Sequence, residues 1–350
     1  MNIDELLRKT RELGASDLHV SVGIPPKARL NGELEALPYG IVMPDDAKQL
    51  VEQMIPKRLI DQFNEAGEVD FAYTQKELGR FRVNVFKQRG VLSFVIRLIN
   101  SEIPAPEKLG LSKEVVELTK KKRGLVLVTG PTGSGKSTTL ASIINIINRD
   151  YNKHIITLED PIEYLHNHQK SVVNQREIGF DTQGYAPALR AALREDPDVI
   201  LVGEMRDLDT ISTAITAAET GHLVFSTLHT IGAVPTIERI IDVFPTSQQP
   251  QIRIQLATLL EAIISQQLCR TADGKGRVAA FEIMFPNSAI RNLVRESKAH
   301  QIPSIIQTSR AEGMITMDDA LIDLFKARKI TKDEALAFAQ DQTSVLRKVL

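Results

Sequence analysis

The segment Gly130-Pro131-Thr132-Gly133-Ser134-Gly135-Lys136-Ser137 carries the most specific chemistry in this 350-residue chain. It satisfies the pattern G-x-x-x-x-G-K-[ST] in full. Three glycines let the backbone wrap a diphosphate so that N–H groups at a helix start point at it. Lys136 is long enough to reach the β- and γ-phosphates, and the Ser137 hydroxyl can ligate Mg²⁺. Outside this context a Gly-rich turn would only be a helix entrance. Here the apolar run Leu125–Val128 precedes it as a buried strand, and a helical pattern from Ser137 to Ile147 follows. The predicted nucleotide-binding set is Gly130, Pro131, Thr132, Gly133, Ser134, Gly135, Lys136, Ser137 and Thr138.

Cleaving a nucleoside triphosphate requires a carboxylate that orients water and others that hold Mg²⁺. Glu159-Asp160-Pro161-Ile162-Glu163 follows the strand pattern His154–Leu158, placing three carboxylates within five positions. The bland alternative is a solvated acidic turn. The next apolar run, Val199–Val202, leads into Gly203-Glu204-Met205-Arg206-Asp207, which resembles a Walker B segment. The position after the run is usually Asp and is Gly203 here. That leaves Glu204 to support Mg²⁺, directly or through water, and the acidic turn to supply the base. A third strand pattern is bracketed by His222 and His229. If the segment is extended, seven steps separate the imidazoles by about 23 Å, so both cannot reach one γ-phosphate. His229, at the carboxyl end, is the expected γ-phosphate contact, and His222 is expected to act structurally or at a subunit contact.

Phosphoryl transfer also calls for arginine, often supplied by a neighbouring chain. Alternation in Arg80-Phe81-Arg82-Val83-Asn84-Val85 puts Arg80, Arg82 and Asn84 on one exposed face, with Arg97 on the next strand. A solvated sheet face is the competing reading.

The elements that position these groups read as two domains. Residues 1–100 form a small α+β unit. Ala47, Leu50, Val51, Met54 and Ile55 have helical spacing after Pro44-Asp45-Asp46. Leu18/Val20/Val22, Val69/Phe71/Tyr73 and Phe81/Val83/Val85 alternate as strands. Residues 101–123 comprise the stiff Ile103-Pro104-Ala105-Pro106 linker and a helix from Ser112 to Lys122. The basic cluster Lys120–Arg123 would complement the dipole of that helix. From Gly124 to Phe285, alternating strands and helices imply an α/β domain on a parallel sheet covered on both faces. Residues 286–350 turn helical, with capping boxes at Thr316–Asp319 and Thr331–Glu334.

Composition is that of an ordinary globular protein, 43% hydrophobic and 25% charged. The net charge of −1 gives no whole-chain attraction to nucleic acid or anionic membrane. One cysteine, Cys269, permits neither a disulfide framework nor a multi-cysteine zinc site, and fits a reducing cytosol. The charged N-terminus lacks the apolar core of a signal peptide, and no window approaches a membrane span, so no direct membrane insertion is expected.

Together, the phosphate loop, the acidic box Ile156–Tyr164, Gly203–Asp207 and the His222/His229 box resemble the hexameric secretion-type ATPases. Ala15-Ser16-Asp17-Leu18-His19 and Ala289-Ile290-Arg291-Asn292-Leu293 are similar to one branch, the type IV pilus retraction ATPases of twitching motility (the PilT family). The resemblance spans roughly residues 3–335. It implies a PAS-like N-terminal domain, a RecA-like P-loop ATPase domain and a homohexameric ring. ATP would lie between the two domains and near the neighbouring subunit. By the family's motifs, Lys136 and Ser137 hold phosphate and Mg²⁺, Glu163 is the catalytic base and Glu204 serves the metal. His229 contacts the γ-phosphate, and Arg82 or Arg97 reaches the site from the small domain. The resemblance also implies that the segment Ala289–Leu293 matters for motility rather than for nucleotide binding. Ile231-Gly232-Ala233 departs from the polar residues expected after Thr230. The implied partner is the inner-membrane platform of the pilus machine, with the ring at its cytoplasmic base.

Three readings compete. An assembly or type II secretion ATPase usually carries an extra N-terminal domain and a four-cysteine insert; one cysteine and a short N-terminus speak against both. An accessory retraction paralogue shares every motif. A nucleotide-gated scaffold ring without useful turnover would not need Lys136, Glu163, Glu204 and His229 together.

Overall fold

The computed structural model describes residues 1–30, 33–99 and 102–349. The chain divides into two compact units, Met1–Ser101 and Glu102–Leu350. The sequence boundary at Asn100 and Ser101 lies outside the described residues.

In the first unit, β1 (Asp17–Ser21), β2 (Lys27–Leu30), β3 (Glu33–Ala36), β4 (Glu68–Gln75), β5 (Gly79–Gln88) and β6 (Val91–Leu98) form one sheet. Its order is β3-β2-β1-β6-β5-β4, antiparallel throughout. Period-two alternation sends Leu18, Val20, Phe81, Val83, Val85 and Ile96 into a core that helices Ile3–Glu12 and Pro44–Met54 cover with Leu6, Leu7, Leu50 and Val51. The helix Pro44–Met54 starts where Pro44 predicts. Pro44 fills its first turn, and Asp46 accepts from the Met43 N–H at 2.9 Å. The opposite register leaves Arg82 exposed and Arg80 and Asn84 half-buried, as alternation anticipates.

The second unit is built on β7 (Gly124–Thr129), β8 (His154–Glu159), β9 (Val172–Glu177), β10 (Val199–Val202), β11 (Leu223–Leu228), β12 (Leu260–Arg270) and β13 (Arg277–Met284). The order is β13-β12-β7-β11-β10-β8-β9, and every pairing is parallel except β12 with β13. Each residue of β7, β10 and β11 is buried, which is why Leu125–Val128, Val199–Val202 and Leu223–Phe225 read as apolar runs. Leu125 and Leu127 of β7 face a layer holding Ile211, Ala214 and Ile215 of the helix Leu208–Glu219. Val126 and Val128 face the other layer, with Leu140, Ile143, Ile144 and Ile147 of the helix Lys136–Asp150. The core therefore lies on both faces of the sheet, with β7 near its centre.

The helix expected from Ser112 to Lys122 is shorter. Ser112 caps an α-helix of Lys113–Glu117, and a 3₁₀ turn, Leu118–Lys120, ends it. The chain becomes extended at Lys121 so that the Gly124 N–H can bond the His222 carbonyl and open β7. The basic cluster does not act through a helix dipole: Lys120 pairs with Glu117, and Lys121 pairs with Glu261, each at 2.7 Å. Strands β9, β12 and β13 were not anticipated.

The tail is helical as expected. Thr316 and Thr331 cap Met317–Lys326 and Lys332–Phe338 by accepting from the Asp319 and Glu334 N–H groups. Met317, Leu321, Ala335 and Val345 bury against Cys269 and Ala280 of the β12–β13 pair. Among the described residues no helix is long and apolar enough to cross a membrane.

Candidate nucleotide site

Because β7, β8, β10 and β11 are mutually parallel, their carboxyl ends meet at one edge of the sheet, where α/β folds bind ligands. A cavity of about 510 Å³ opens there, lined by Thr132, Gly133, Gly135, Lys136, Ser137 and Thr138 together with Glu163, Glu204 and His229. The lining residues described all belong to the second unit.

The loop after β7 is shaped by glycine. Gly130 has φ +139°, and a Cβ there would lie 2.2 Å from the Gln266 carbonyl oxygen. Gly130, Pro131 and Ser134 stand behind the cavity wall, Ser134 being buried. Gly135, at φ +90°, precedes the helix Lys136–Asp150 without any side-chain cap, leaving the first-turn N–H groups for an anion. Lys136 Nζ donates to the Gly130 and Pro131 carbonyls at 2.8 and 3.0 Å. Burial pushes this ammonium down, while the charges of Glu204 and Glu163 push it back towards protonation. Thr139 donates to Gln266 Oε1 on β12, and the Thr138 and Tyr164 hydroxyls bond at 2.9 Å. These bonds tie the loop to the strand on one side and to the acidic segment on the other.

The three carboxylates of that segment separate in role. Glu159 accepts from Thr157 Oγ1 at 2.6 Å and from Gln175 Nε2 at 3.0 Å. Burial pushes its pKa up despite those bonds. Asp160 and Glu163 are exposed, and Glu163 faces the cavity with an open carboxylate.

Glu204 is mostly enclosed and takes Arg206 Nε at 2.7 Å and His229 Nε2 at 3.3 Å on one oxygen. The segment is braced by Thr227 Oγ1 donating to the Gly203 carbonyl at 2.6 Å. His222 stands at the other end of β11, its Nδ1 2.9 Å from the Ala217 carbonyl. The loop after His229 is fixed from behind. The Gly232 N–H donates to Ser265 Oγ at 2.8 Å, and the Ala233 N–H donates to Glu282 Oε1 at 2.7 Å. Glu282 Oε2 accepts from the Met317 N–H and Gln340 Nε2 at 3.3 and 3.4 Å, joining this loop to the tail.

Arg82 and Arg97 belong to the first unit and sit directly opposite each other across β5 and β6. Arg97 Nε donates to Asp17 at 2.8 Å, and Arg82 lies 3.8 Å from Asp70. Among the other cavity residues that sequence reasoning passed over are Tyr185, Arg206 and Arg277. Arg206 stood in the motif that contains Glu204. Tyr185 and Arg277 come from elements with no motif of their own.

The donor set suits a magnesium–nucleotide complex. Among the described residues no group of three or more His, Cys, Asp or Glu forms a metal cage. Mg²⁺ commonly needs none, taking one or two protein oxygens, phosphates and water. Ser137 and Glu204, flanking the cradle, are the residues that would hold it.

Residues 65–331 match the family described as Type II/IV secretion system protein. The type IV pilus retractation ATPase PilT of Pseudomonas aeruginosa is 47% identical over 96% of this chain and 97% of its own length. The type IV pilus ATPase PilU of the same organism is 40% identical over 99% and 91%. A crystal structure of the pilus retraction motor PilT with bound ADP superposes with a TM-score of 0.94 at 49% identity, covering 99% of each chain. On these similarities the chain belongs to the type II/IV secretion system protein family, within its pilus retraction branch.

Proposed function

We propose that this protein is an ATP-hydrolysing motor that powers type IV pilus retraction, working as a homohexameric ring at the cytoplasmic base of the pilus machine. Its partner would be the inner-membrane platform protein, and neither nucleic acid nor direct membrane insertion enters the cycle. The observation that carries the catalytic part is the convergence of the glycine cradle, Lys136, Glu163, Glu204 and His229 on one cavity. The retraction branch is carried by the 47% identity to the Pseudomonas retraction ATPase over nearly the whole chain.

In this reading, loop N–H groups and Lys136 bind the phosphates, the lysine exchanging two carbonyls for phosphate oxygens. Ser137 and Glu204 would hold Mg²⁺, which when bound neutralises charge on the β- and γ-phosphates. Glu163 takes a proton from the water that attacks the γ-phosphorus, and the bond to the ADP oxygen breaks. His229 donates to the γ-phosphate and links it to Glu204. Arg82 or Arg97 of the small domain, reaching the site from another copy of the chain, answers the charge that builds in the transition state.

The test is turnover with binding measured in parallel. Lys136→Ala should lose nucleotide affinity. Glu163→Gln should still bind ATP but hydrolyse it on the order of 10²-fold or more slowly, the usual contribution of a positioned base. Near-wild-type turnover in Glu163→Gln would remove Glu163 as the base. Deleting the gene should leave cells piliated and unable to retract. A second reading, an accessory retraction motor, is favoured by the 40% identity to PilU. It predicts that retraction persists in the deletion.

A further inference from the structure

At Gly203, β10 gives way to the cavity with no side chain where this kind of site usually carries an aspartate. A Cβ on Gly203 would lie 2.8 Å from the Tyr185 hydroxyl, 3.0 Å from the Leu158 carbonyl oxygen and 3.4 Å from Glu159 Cα. The space that an aspartate would enter is held by a phenol from a different element, the first residue of the helix Tyr185–Ala192. The Tyr185 ring packs on the apolar layer under the sheet, which fixes where its oxygen goes. That oxygen borders the cavity and makes no hydrogen bond among the described residues. Glu204, Asp160 and Glu159 act on it electrostatically, with Arg206 opposing them.

A phenol can donate one hydrogen bond and accept others. We propose that the Tyr185 hydroxyl replaces the missing aspartate in the outer shell of the bound Mg²⁺. Its oxygen accepts from a metal-bound water, and its O–H is left to donate on the side where the carboxylates Glu204, Asp160 and Glu159 act on it. A neutral group in place of an anion leaves the metal site one negative charge poorer. Magnesium binding in this chain therefore leans on that hydrogen bond and on the nucleotide phosphates. This inference rests on the reading of the cavity as a magnesium–nucleotide site.

The test is binding of a fluorescent ADP analogue to the full chain, wild type and Tyr185→Phe, across a Mg²⁺ titration and again in EDTA. Phenylalanine keeps the packed ring and removes only the oxygen. The expected result is a Mg²⁺ midpoint raised about tenfold, equal to about 1.4 kcal/mol, with unchanged affinity in EDTA. Retained affinity in EDTA also shows that the pocket is intact. Equal midpoints for the two proteins would overturn the inference and leave the nucleotide site standing. An equal loss with and without metal would overturn it too, because the hydroxyl would then serve the fold or the nucleotide. If wild type bound no nucleotide under any condition, the site reading itself would fall.

Discussion

Replacing Glu282 by alanine should weaken the ATPase unit well away from the phosphates. The carboxylate is buried and accepts from two backbone N–H groups and one side-chain amide. The 2.7 Å bond from Ala233 is a charge-assisted one, worth about 1.5–3 kcal/mol, and the two bonds beyond 3.2 Å add about 0.5 kcal/mol each. The anion also sits at the heads of the helices Ala233–Asp242 and Met317–Lys326, each contributing about 0.3–1 kcal/mol. Burial outweighs these pulls on the anion, since the Glu282 pKa stands raised in spite of them; what alanine loses is the acceptor, at about 1–3 kcal/mol for each buried N–H left unsatisfied. A net loss of about 3 kcal/mol follows for Glu282→Ala, which for a unit of this size lowers Tm by about 6–12 °C. Glu282→Gln keeps an acceptor oxygen and should lose about half as much. The pH dependence has a definite sign. With the native pKa raised above the ordinary 4.5, the native state holds its proton longer than the unfolded chain. The carboxyl's contribution is therefore fully present below 4.5 and declines as pH rises through the native value. The stability gap between wild type and Glu282→Gln should narrow over that interval. Calorimetry from pH 4 to 8 reads both effects. A Glu282→Ala protein melting within ~2 °C of wild type, no more than about 1 kcal/mol would give, would refute the assignment.

Two further outcomes are expected. Gly130→Ala should collapse the phosphate loop and cut nucleotide affinity more than tenfold, because its Cβ would meet a backbone oxygen at 2.2 Å. Gly133→Ala, also at positive φ but with nothing within 4 Å, should cost only about 1–2 kcal/mol in stability; equal effects by calorimetric titration would show that strain, not collision, governs the loop. Asn292→Ala should leave ATP hydrolysis intact and abolish twitching, since Asn292 bonds only Glu296 on the surface. Arg291→Ala should instead lower stability by about 1–3 kcal/mol, read by thermal unfolding, because it strips a charged donor from the Ala257 and Thr258 carbonyls.

The central strands were legible because burial on both faces leaves no polar residue to interrupt them, as in Val199–Val202. The phosphate loop was legible because glycine and lysine at fixed spacing have few other uses. β12 was hidden for a physical reason. It follows the helix Gln249–Leu259 without a turn, and Ser265, Gln266 and Gln267 interrupt its apolar pattern. Those polar residues are buried because they serve the loops: Ser265 holds Gly232, and Gln266 takes the Thr139 hydroxyl. β13 pairs only with β12 within the sheet, so its pattern carried no parallel-strand signature. The role proposed for Tyr185 could not be read because it arises from an absence at Gly203, just past β10, whereas Tyr185 itself opens a helix. The aspartate missing from that motif was visible; what filled its place was not.

The geometry also explains how one segment can matter for movement without touching the nucleotide. The helix Ser288–Arg295 is anchored through Arg291 to Ala257 and Thr258, and Arg291 lies 3.9 Å from Glu261. Leu260 pairs with Leu125, so these anchors lie at the amino end of β7. The phosphate loop leaves β7 at its other end, after Thr129. Five strand steps at about 3.3 Å put these two edges roughly 17 Å apart, with a fully buried strand between them. A surface polar group beyond that distance cannot alter the phosphates by contact, and its charge effects are screened by solvent. The tail meets the nucleotide edge elsewhere, where Glu282 joins Ala233 of the histidine loop to Met317 and Gln340. Besides their packing on β12 and β13, the C-terminal helices are thus tied to the residues around His229 through Glu282 and to the amino end of the sheet through Arg291. Displacement of the first tie relative to the second is a movement that a change at the γ-phosphate could drive. Loss of the Glu282 link should then lower turnover and motility together, whereas Asn292→Ala should separate them.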